Sequence, residues 1–506
     1  MKQYVLFKSK KGNYYVFDRE KKKNILCHPV LYYLLQLEDS GRDLEKWILE
    51  LKGSVDIEGV GTIPTGEINY YYRKYQILKQ NGYFESSSQE SRLSSMLSPS
   101  RVKEFLANVS QVTFETTEKC CLKCLYCGYG EFYNPEENRS EKPMPFWTVK
   151  KVLRYVLEFL NSPMNLSNDQ NIYISFYGGE PLLNFKLIEK AVNYVKNLKL
   201  QHNVVTFSMT TNGVLIDKYM DFLVENKFNL LISLDGDESN NSYRVFKNGK
   251  PAFKTIKKNV EALRSKYPDY FNRKVNFNAV IHNKNSVSGI YNFFKQHFGK
   301  APRIAALNSF GIREDQKEAF WKTYSNLDES LYKSEDYSLI QREMFIKLPN
   351  IQDVSNFIHM NNDSCFTDYN EMLYSSDNAA RLPTGTCNPF SKKIFVTANG
   401  KILPCERISH EFVLGTVDEN GVNIDFEAIA AKYGNWYDKL ISQCRTCYQS
   451  ENCVQCIFYL DLSSDRTICN GFMNRDDYSK YVSAHVDFLE NTPSMYYKIL
   501  KKVIIK

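Results

Sequence analysis

The chain has 506 residues, more than one hydrophobic core serves, so two to four domains are expected. It is 43% hydrophobic and 24% charged, close to an ordinary soluble globular protein. The start, MKQYVLFKSKKG, has no apolar signal region, and no apolar run is long enough to span a bilayer. A cytoplasmic protein without membrane contact is the simplest reading. The net charge of +7 is mild, and clusters such as Lys8 to Lys11 and Lys21 to Lys23 read first as solvated faces.

Along the chain, YVLFKS (Tyr4 to Ser9) and YYVFD (Tyr14 to Asp18) flank a Lys-Lys-Gly-Asn turn, a hairpin signal. Helical patterns follow at Pro29 to Leu37, Leu44 to Leu51 and Glu67 to Gln80, and NGYFE reads as a last strand. Residues 1–84 are therefore expected to form a small α+β unit of winged-helix type. Residues 85–104 begin Ser-rich and read as a linker.

From Gln111 the pattern alternates strand and helix. Expected strands are Gln111 to Thr116, Ile172 to Tyr177, Val204 to Thr210, Leu230 to Asp235, Val275 to Ile281 and Arg303 to Leu307. Amphipathic stretches such as TVKKVLRYVLEFL lie between them. Such repeats imply a parallel sheet over residues 105–313, open or curled into a partial (β/α)6 TIM-type barrel. Loops after the strand carboxyl ends then carry the chemistry. Residues 314–386 read as a helical bridge. Residues 387–475 are cysteine-rich with thin regular structure and a hairpin around Asn399-Gly400, and residues 476–506 read as a helical tail.

Thirteen cysteines carry the functional signal; in a cytosolic chain, clustered cysteines argue for metal or catalysis rather than disulfides. Just past the first barrel strand, Cys120, Cys124 and Cys127 read Cys-x3-Cys-x2-Cys. Three thiolates can hold three corners of an iron–sulfur cube and leave one iron open to a substrate. A zinc site or buried thiols are the rival readings, but tetrahedral zinc wants four ligands and no suitably spaced fourth is nearby.

The stretch TEKCCLKCLYC resembles the cluster motif of radical S-adenosylmethionine (SAM) enzymes. The family's other motifs follow in order: Gly178-Gly179-Glu180-Pro181 after the second strand, Thr211-Asn212-Gly213 after the third, Ser233-Leu234-Asp235-Gly236 at the end of the fourth, then Arg244. The resemblance spans about Gln111 to Leu307. It implies a [4Fe–4S] cluster on Cys120, Cys124 and Cys127, with SAM chelating the open iron. Gly178 and Gly179 would let backbone approach the methionine amine, which Glu180 would receive. Tyr126 would lie near the adenine, Asn212 and Ser233 near the ribose, and Arg244 near the carboxylate. The implied chemistry is reductive cleavage of SAM to a 5′-deoxyadenosyl radical that takes hydrogen from an unactivated carbon. Cys121 is surplus, with a side chain expected to point away from the cube.

The later cysteines resemble the SPASM extension of peptide-modifying radical SAM enzymes: Cys387, Cys405, then Cys444-x2-Cys447-x5-Cys453-x2-Cys456, then Cys469. The final interval of the middle group is usually x3. The resemblance implies two auxiliary [4Fe–4S] clusters, one on Cys444, Cys447, Cys453 and Cys469 and the other on Cys387, Cys405 and Cys456. Where sulfatase-maturating relatives place a fourth ligand, six residues before the first of these, this chain has Arg381. Cys365 is the candidate substitute. A zinc-ribbon fragment is the rival reading of the paired CxxC groups. Glu406, directly after Cys405, is a candidate general base.

Residues 1–84 are similar, in element order, to the leader-peptide-binding winged-helix unit of ribosomal peptide maturases. Such units take a peptide as an added strand, here at YVLFKS or YYVFD. The Tyr-rich helix GEINYYYRKYQILKQ argues against DNA. The expectation is thus a radical SAM/SPASM maturase acting on a ribosomally made precursor with a leader, installing a thioether or carbon–carbon cross-link. Flavodoxin or ferredoxin would be the electron donor. The alternatives are a formylglycine-generating sulfatase maturase and a non-catalytic iron–sulfur or zinc scaffold.

Overall fold

The computed structural model describes residues 3–84, 93–133, 142–167, 170–309, 311–344, 349–361, 381–384, 387–463 and 467–502. Cys365 lies outside the described residues.

The N-terminal unit is a three-stranded antiparallel sheet, β1 (Tyr4–Lys8), β2 (Tyr14–Asp18) and β3 (Lys23–Cys27), with β2 central. Helices α1 (Pro29–Asp39) and α2 (Leu44–Glu50) follow, then the hairpin β4 (Ser54–Ile57) and β5 (Gly61–Pro64), then α3 (Thr65–Gln80). The unit has its own core, in which Val16, Val30, Leu34, Leu35 and Ile68 are fully buried. NGYFE departs from expectation: residues 81–84 form no strand. The strands that the alternation left unread, β3 to β5, are short and mostly exposed, so little hydrophobic pattern marks them.

The expected linker is shorter than its composition implies. Helix α4 (Pro99–Ala107) starts inside it, capped by Ser98, whose hydroxyl accepts from Arg101 N at 3.1 Å. It buries Val102 and Leu106 in the main core.

The central domain alternates as expected: β6 (Gln111–Thr117), α5 (Phe146–Leu160), β7 (Gln170–Gly178), α6 (Phe185–Lys196), β8 (Asn203–Thr211), α7 (Ile216–Glu225), β9 (Asn229–Ser233), α8 (Phe253–Lys266), α9 (Pro268–Lys274), β10 (Val275–Val280), α10 (Val287–Phe298) and β11 (Arg303–Ala305). The six strands run parallel in sequential order. The intervening helices pack against the sheet, sharing its core. Helix α5 turns one apolar face inward, burying Val149, Val152, Leu153, Val156 and Leu160 at helical spacing.

The bridge holds α11 (Lys317–Thr323), α12 (Leu327–Tyr332), α13 (Tyr337–Glu343) and α14 (Pro349–Met360). The cysteine-rich segment then extends the barrel sheet. Strand β12 (Lys393–Val396) pairs in parallel with β6, and β13 (Lys401–Leu403), β14 (Gly415–Val417) and β15 (Val422–Asn423) continue it to ten strands. The hairpin at Asn399-Gly400 is present, with Gly400 at φ 80°. This segment is more regular than its cysteine density implies. Helix α15 (Phe426–Thr446), capped by Asp425, has 21 residues and buries Tyr433, Trp436, Tyr437 and Leu440.

The tail is helical, with α16 (Arg475–Asn491) and α17 (Ser494–Lys502). Helix α16 packs on β1, burying Tyr478, Val482 and Val486 in one core with Val5, Phe7 and Phe17. Its side chains also cap the outer edge of β1. Arg475 donates to the Tyr4 carbonyl (3.2 Å), Ser479 to that of Leu6 (2.9 Å) and Ser483 to that of Lys8 (3.4 Å). The two strands expected to offer a docking edge are thus both occupied, β2 by its neighbours and β1 by α16. The outer strand on the other side is β3.

Arg475 also pairs with Asp39 and lies 5.5 Å from the Tyr4 ring. Arg475→Ala should therefore loosen the N-terminal unit from α16 by about 1–3 kcal/mol. Limited proteolysis should release a fragment near residue 84 faster than from wild type; unchanged cleavage would show that apolar packing alone holds the unit.

A candidate cysteine-lined active site at the strand carboxyl ends

The loop that leaves β6 carries Cys120, Cys121, Cys124 and Cys127, without a helix or strand of its own to position it. Neighbouring backbone does this instead. Gly179 N donates to Thr117 O (2.9 Å) and Glu180 N to Lys119 O (2.8 Å). A Cβ on Gly178 would sit 2.2 Å from Thr117 O, and one on Gly179 2.2 Å from Lys119 O. The glycine pair is required by this backbone approach, and Gly178 also has φ 126°. On the other side, Lys123 N donates to Val245 O (2.7 Å) and Leu125 N to Tyr243 O (3.3 Å).

Glu180 is wholly buried and ties this packing to the next strand. It accepts from Leu182 N (3.1 Å), Thr211 Oγ1 (2.8 Å) and Asn212 N (2.8 Å). Burial pushes its carboxyl up to about 7, against the pull of the Asn212 and Thr211 donors. Pro181 opens the 3-10 turn that Glu180 caps. Asn212 Nδ2 then donates to the thiols of Cys120 (3.5 Å) and Cys121 (3.3 Å). Cys121 therefore does not point away from the cysteine cluster. The two neighbouring thiols act on each other, lowering that of Cys120 to about 6 and raising that of Cys121.

Behind the loop lies a buried ion pair. Asp235, fully buried just past β9, accepts from Arg244 Nε (2.8 Å), Arg244 Nη2 (3.0 Å) and Val280 N (2.9 Å). The Tyr126 hydroxyl also donates to it. The Arg244 guanidinium lies 5.4 Å from the Tyr126 ring, and His282 stacks on that ring at 5.8 Å. Tyr126 and Arg244 are thus held by Asp235. Ser233 ends β9, partly exposed beside them.

Glu115 is a residue that motif reasoning missed. It is buried, accepts from the Tyr129 hydroxyl (2.5 Å) in the cysteine loop, and from Ala398 N (2.9 Å) in the β12–β13 turn. The available signal was the lone carboxylate in a strand, QVTFETT, that is otherwise uncharged. Tyr177, directly before the glycine pair, is also new. Burial raises its hydroxyl pKa, reinforced by Glu406 and Cys127, and its ring meets that of Phe395 on β12 edge-on at 6.2 Å.

The later thiols form two groups. Cys444, Cys447, Cys453 and Cys469 line one cavity of about 270 Å³. Cys456, Cys387 and Cys405 lie close enough together to act electrostatically on one another. Arg381 is spent on the Ser450 carbonyl (3.4 Å) and Glu451 (3.7 Å). Glu406 is paired with Lys393 at 2.9 Å; burial works to raise its carboxyl, but Lys393 outweighs this and holds it below the ordinary carboxylate value.

No described cysteine is in a disulfide, and among the described residues no three His, Cys, Asp or Glu side chains are arranged around a single metal ion. A thiol-lined cavity of this size suits a thiolate-bound cluster by donor chemistry. The glycine cradle and the Asn212 amide likewise suit a loop whose thiolates must be held without regular structure.

Residues 114–294 match the Radical SAM superfamily. An uncharacterized protein of Methanocaldococcus jannaschii is 34% identical over 178 residues, 35% of this chain and 54% of that one. The cysteine-type anaerobic sulfatase-maturating enzyme of Clostridium novyi is 25% identical over 67% of this chain and 88% of its own length. The radical SAM cyclopropyl synthase TigE of Paramaledivibacter caminithermalis is 25% identical over 44% and 45% respectively. The chain thus spans about half the length of two of these relatives. No described helix is long and apolar enough to cross a membrane.

Removing one partner of the Asp235–Arg244 pair leaves a buried charge uncompensated. Asp235→Ala should cost about 3–5 kcal/mol of stability, and adding Arg244→Met should recover much of it. Chemical denaturation of the two variants measures this; a double variant no more stable than the single one contradicts the role given to the pair.

Proposed function

With residues 114–294 a radical SAM domain, we propose that the chain is a radical SAM enzyme that modifies a precursor peptide, most plainly by a thioether or carbon–carbon cross-link. Cys120, Cys124 and Cys127 would hold the SAM-binding cluster. Cys444, Cys447, Cys453 and Cys469 would hold one auxiliary cluster, and Cys387, Cys405 and Cys456 the other. When bound, the cluster and SAM supply one-electron hydrogen-atom abstraction.

The chain's own residues have distinct tasks. Asn212 steadies the thiols at the first corner, and Glu180 steadies Asn212. Tyr126, Asp235 and Arg244 close the site from behind with paired, buried polar groups, which keeps water out of the reaction space. Glu406 would receive a substrate proton only if Lys393 released it, so it serves better as a fixed charge beside Tyr177.

The observation that carries the peptide reading is the edge of β3. It is the outer strand opposite the capped β1, Leu26 on it is 63% exposed, and α3 presents Tyr70 at 52% exposure. An extended leader could add there as a fourth strand, with its side chains over exposed apolar groups. The rival reading, oxidation of a Cys or Ser to formylglycine, draws on the likeness to the sulfatase-maturating enzyme of C. novyi.

Anaerobic reconstitution with SAM and dithionite should yield 5′-deoxyadenosine; none, with or without peptide, would falsify the enzyme reading. Co-expression with its precursor peptide should give a peptide lighter by two hydrogens per event. Leader binding followed by fluorescence anisotropy should weaken about tenfold in Leu26→Glu, a loss of about 1.4 kcal/mol. The same substitution should leave peptide-independent SAM cleavage unchanged. Equal leader affinity in the two proteins places the docking edge elsewhere.

A further inference from the structure

The loop after β6 holds four thiols where three ligands are needed. Cys120 and Cys121 are adjacent in sequence, yet both thiols accept from the single Asn212 amide, at 3.5 and 3.3 Å. Consecutive side chains on an extended chain point to opposite sides. Here the backbone bends after Cys120, and Leu122 N folds back to donate to the Cys120 thiol at 3.4 Å. Both thiols also pack, partly buried, against the same core as Cys124.

The sequence offers two registers on this loop. Counted from Cys120 the pattern is Cys-x3-Cys-x2-Cys; counted from Cys121 it is Cys-x2-Cys-x2-Cys, with Cys124 and Cys127 common to both. We propose that Cys121 is an alternative ligand at the corner assigned to Cys120, so that the loop holds its cluster through either of two adjacent thiolates. The Asn212 amide marks the shared corner, because it reaches whichever of the two sulfurs is in place. The proposal rests on the reading that this loop holds an iron–sulfur cluster.

The test compares Cys120→Ala, Cys121→Ala, the double variant and Cys124→Ala, all as full-length protein reconstituted anaerobically. Iron and sulfide content and the low-temperature electron paramagnetic resonance of the reduced protein are the readouts. Each single variant at Cys120 or Cys121 should keep wild-type iron. The double variant and Cys124→Ala should each lose the iron of one cluster, about four atoms per chain. Loss in Cys120→Ala equal to that in Cys124→Ala overturns the proposal. Full iron in Cys124→Ala instead overturns the reading beneath it, that the loop holds a cluster.

A second measurement needs no variant. The loaded wild-type protein is alkylated under anaerobic conditions, and the peptide carrying Cys120 and Cys121 is sequenced by mass spectrometry. Label divided between the two positions supports two registers. Label confined to Cys121 shows that Cys120 alone is the ligand and ends the proposal, even if Cys120→Ala fails to fold.

Discussion

The backbone of Thr117 to Lys119 lies so close to Gly178 and Gly179 that one methyl group on either glycine would overlap a carbonyl oxygen. The candidate site depends on this approach. The cysteine loop has no hydrogen-bonded ladder of its own, so its shape is set by the turn it lies on. That turn is fixed in the next layer by Glu180, a buried carboxylate whose oxygens accept from Leu182, Thr211 and Asn212. Asn212 closes the circuit by returning to the thiols. Three strand ends are thus tied together by one glycine pair and one carboxylate.

A second constraint joins the two cysteine-bearing regions. Because β12 pairs with β6, the strand that launches the cysteine loop and the hairpin before Cys405 share one sheet. Glu115 strengthens the join by accepting from both Tyr129 and Ala398. Their separation is therefore set by strand spacing and two hydrogen bonds. Rigid placement of this kind suits groups that must exchange electrons or share one substrate, since small displacements of reacting groups are costly.

Much of the central domain was legible because its strands carry β-branched and aromatic residues with buried alternate positions, as in VNFNAV, and their helices leave a 3.6-residue stripe. All six expected strands appear within a few residues of their read boundaries. Helix α15 was missed because cysteine density at its end masked an ordinary amphipathic pattern. The linker was read too long because serines flank α4, where Ser98 is in fact a helix cap. Glu406 was legible by position, but its pairing with Lys393, 13 residues earlier in sequence, was not.

The sequence by itself determined the identities and spacings of the thiols, the glycine pair, and the strand–helix alternation that sends loops to one end of a parallel sheet. These are local properties, set by residue type and period. Tertiary structure alone decided which edge of the N-terminal sheet is left outermost, because α16, over 460 residues from β1, covers the other. It also decided that Asp235, Arg244 and Tyr126 spend their polar groups on one another. It turned Cys121 toward Cys120 through an amide from a different strand end. The Arg475, Asn212 and Tyr126 contacts in these join segments 91 residues or more apart in the chain, which no local pattern encodes.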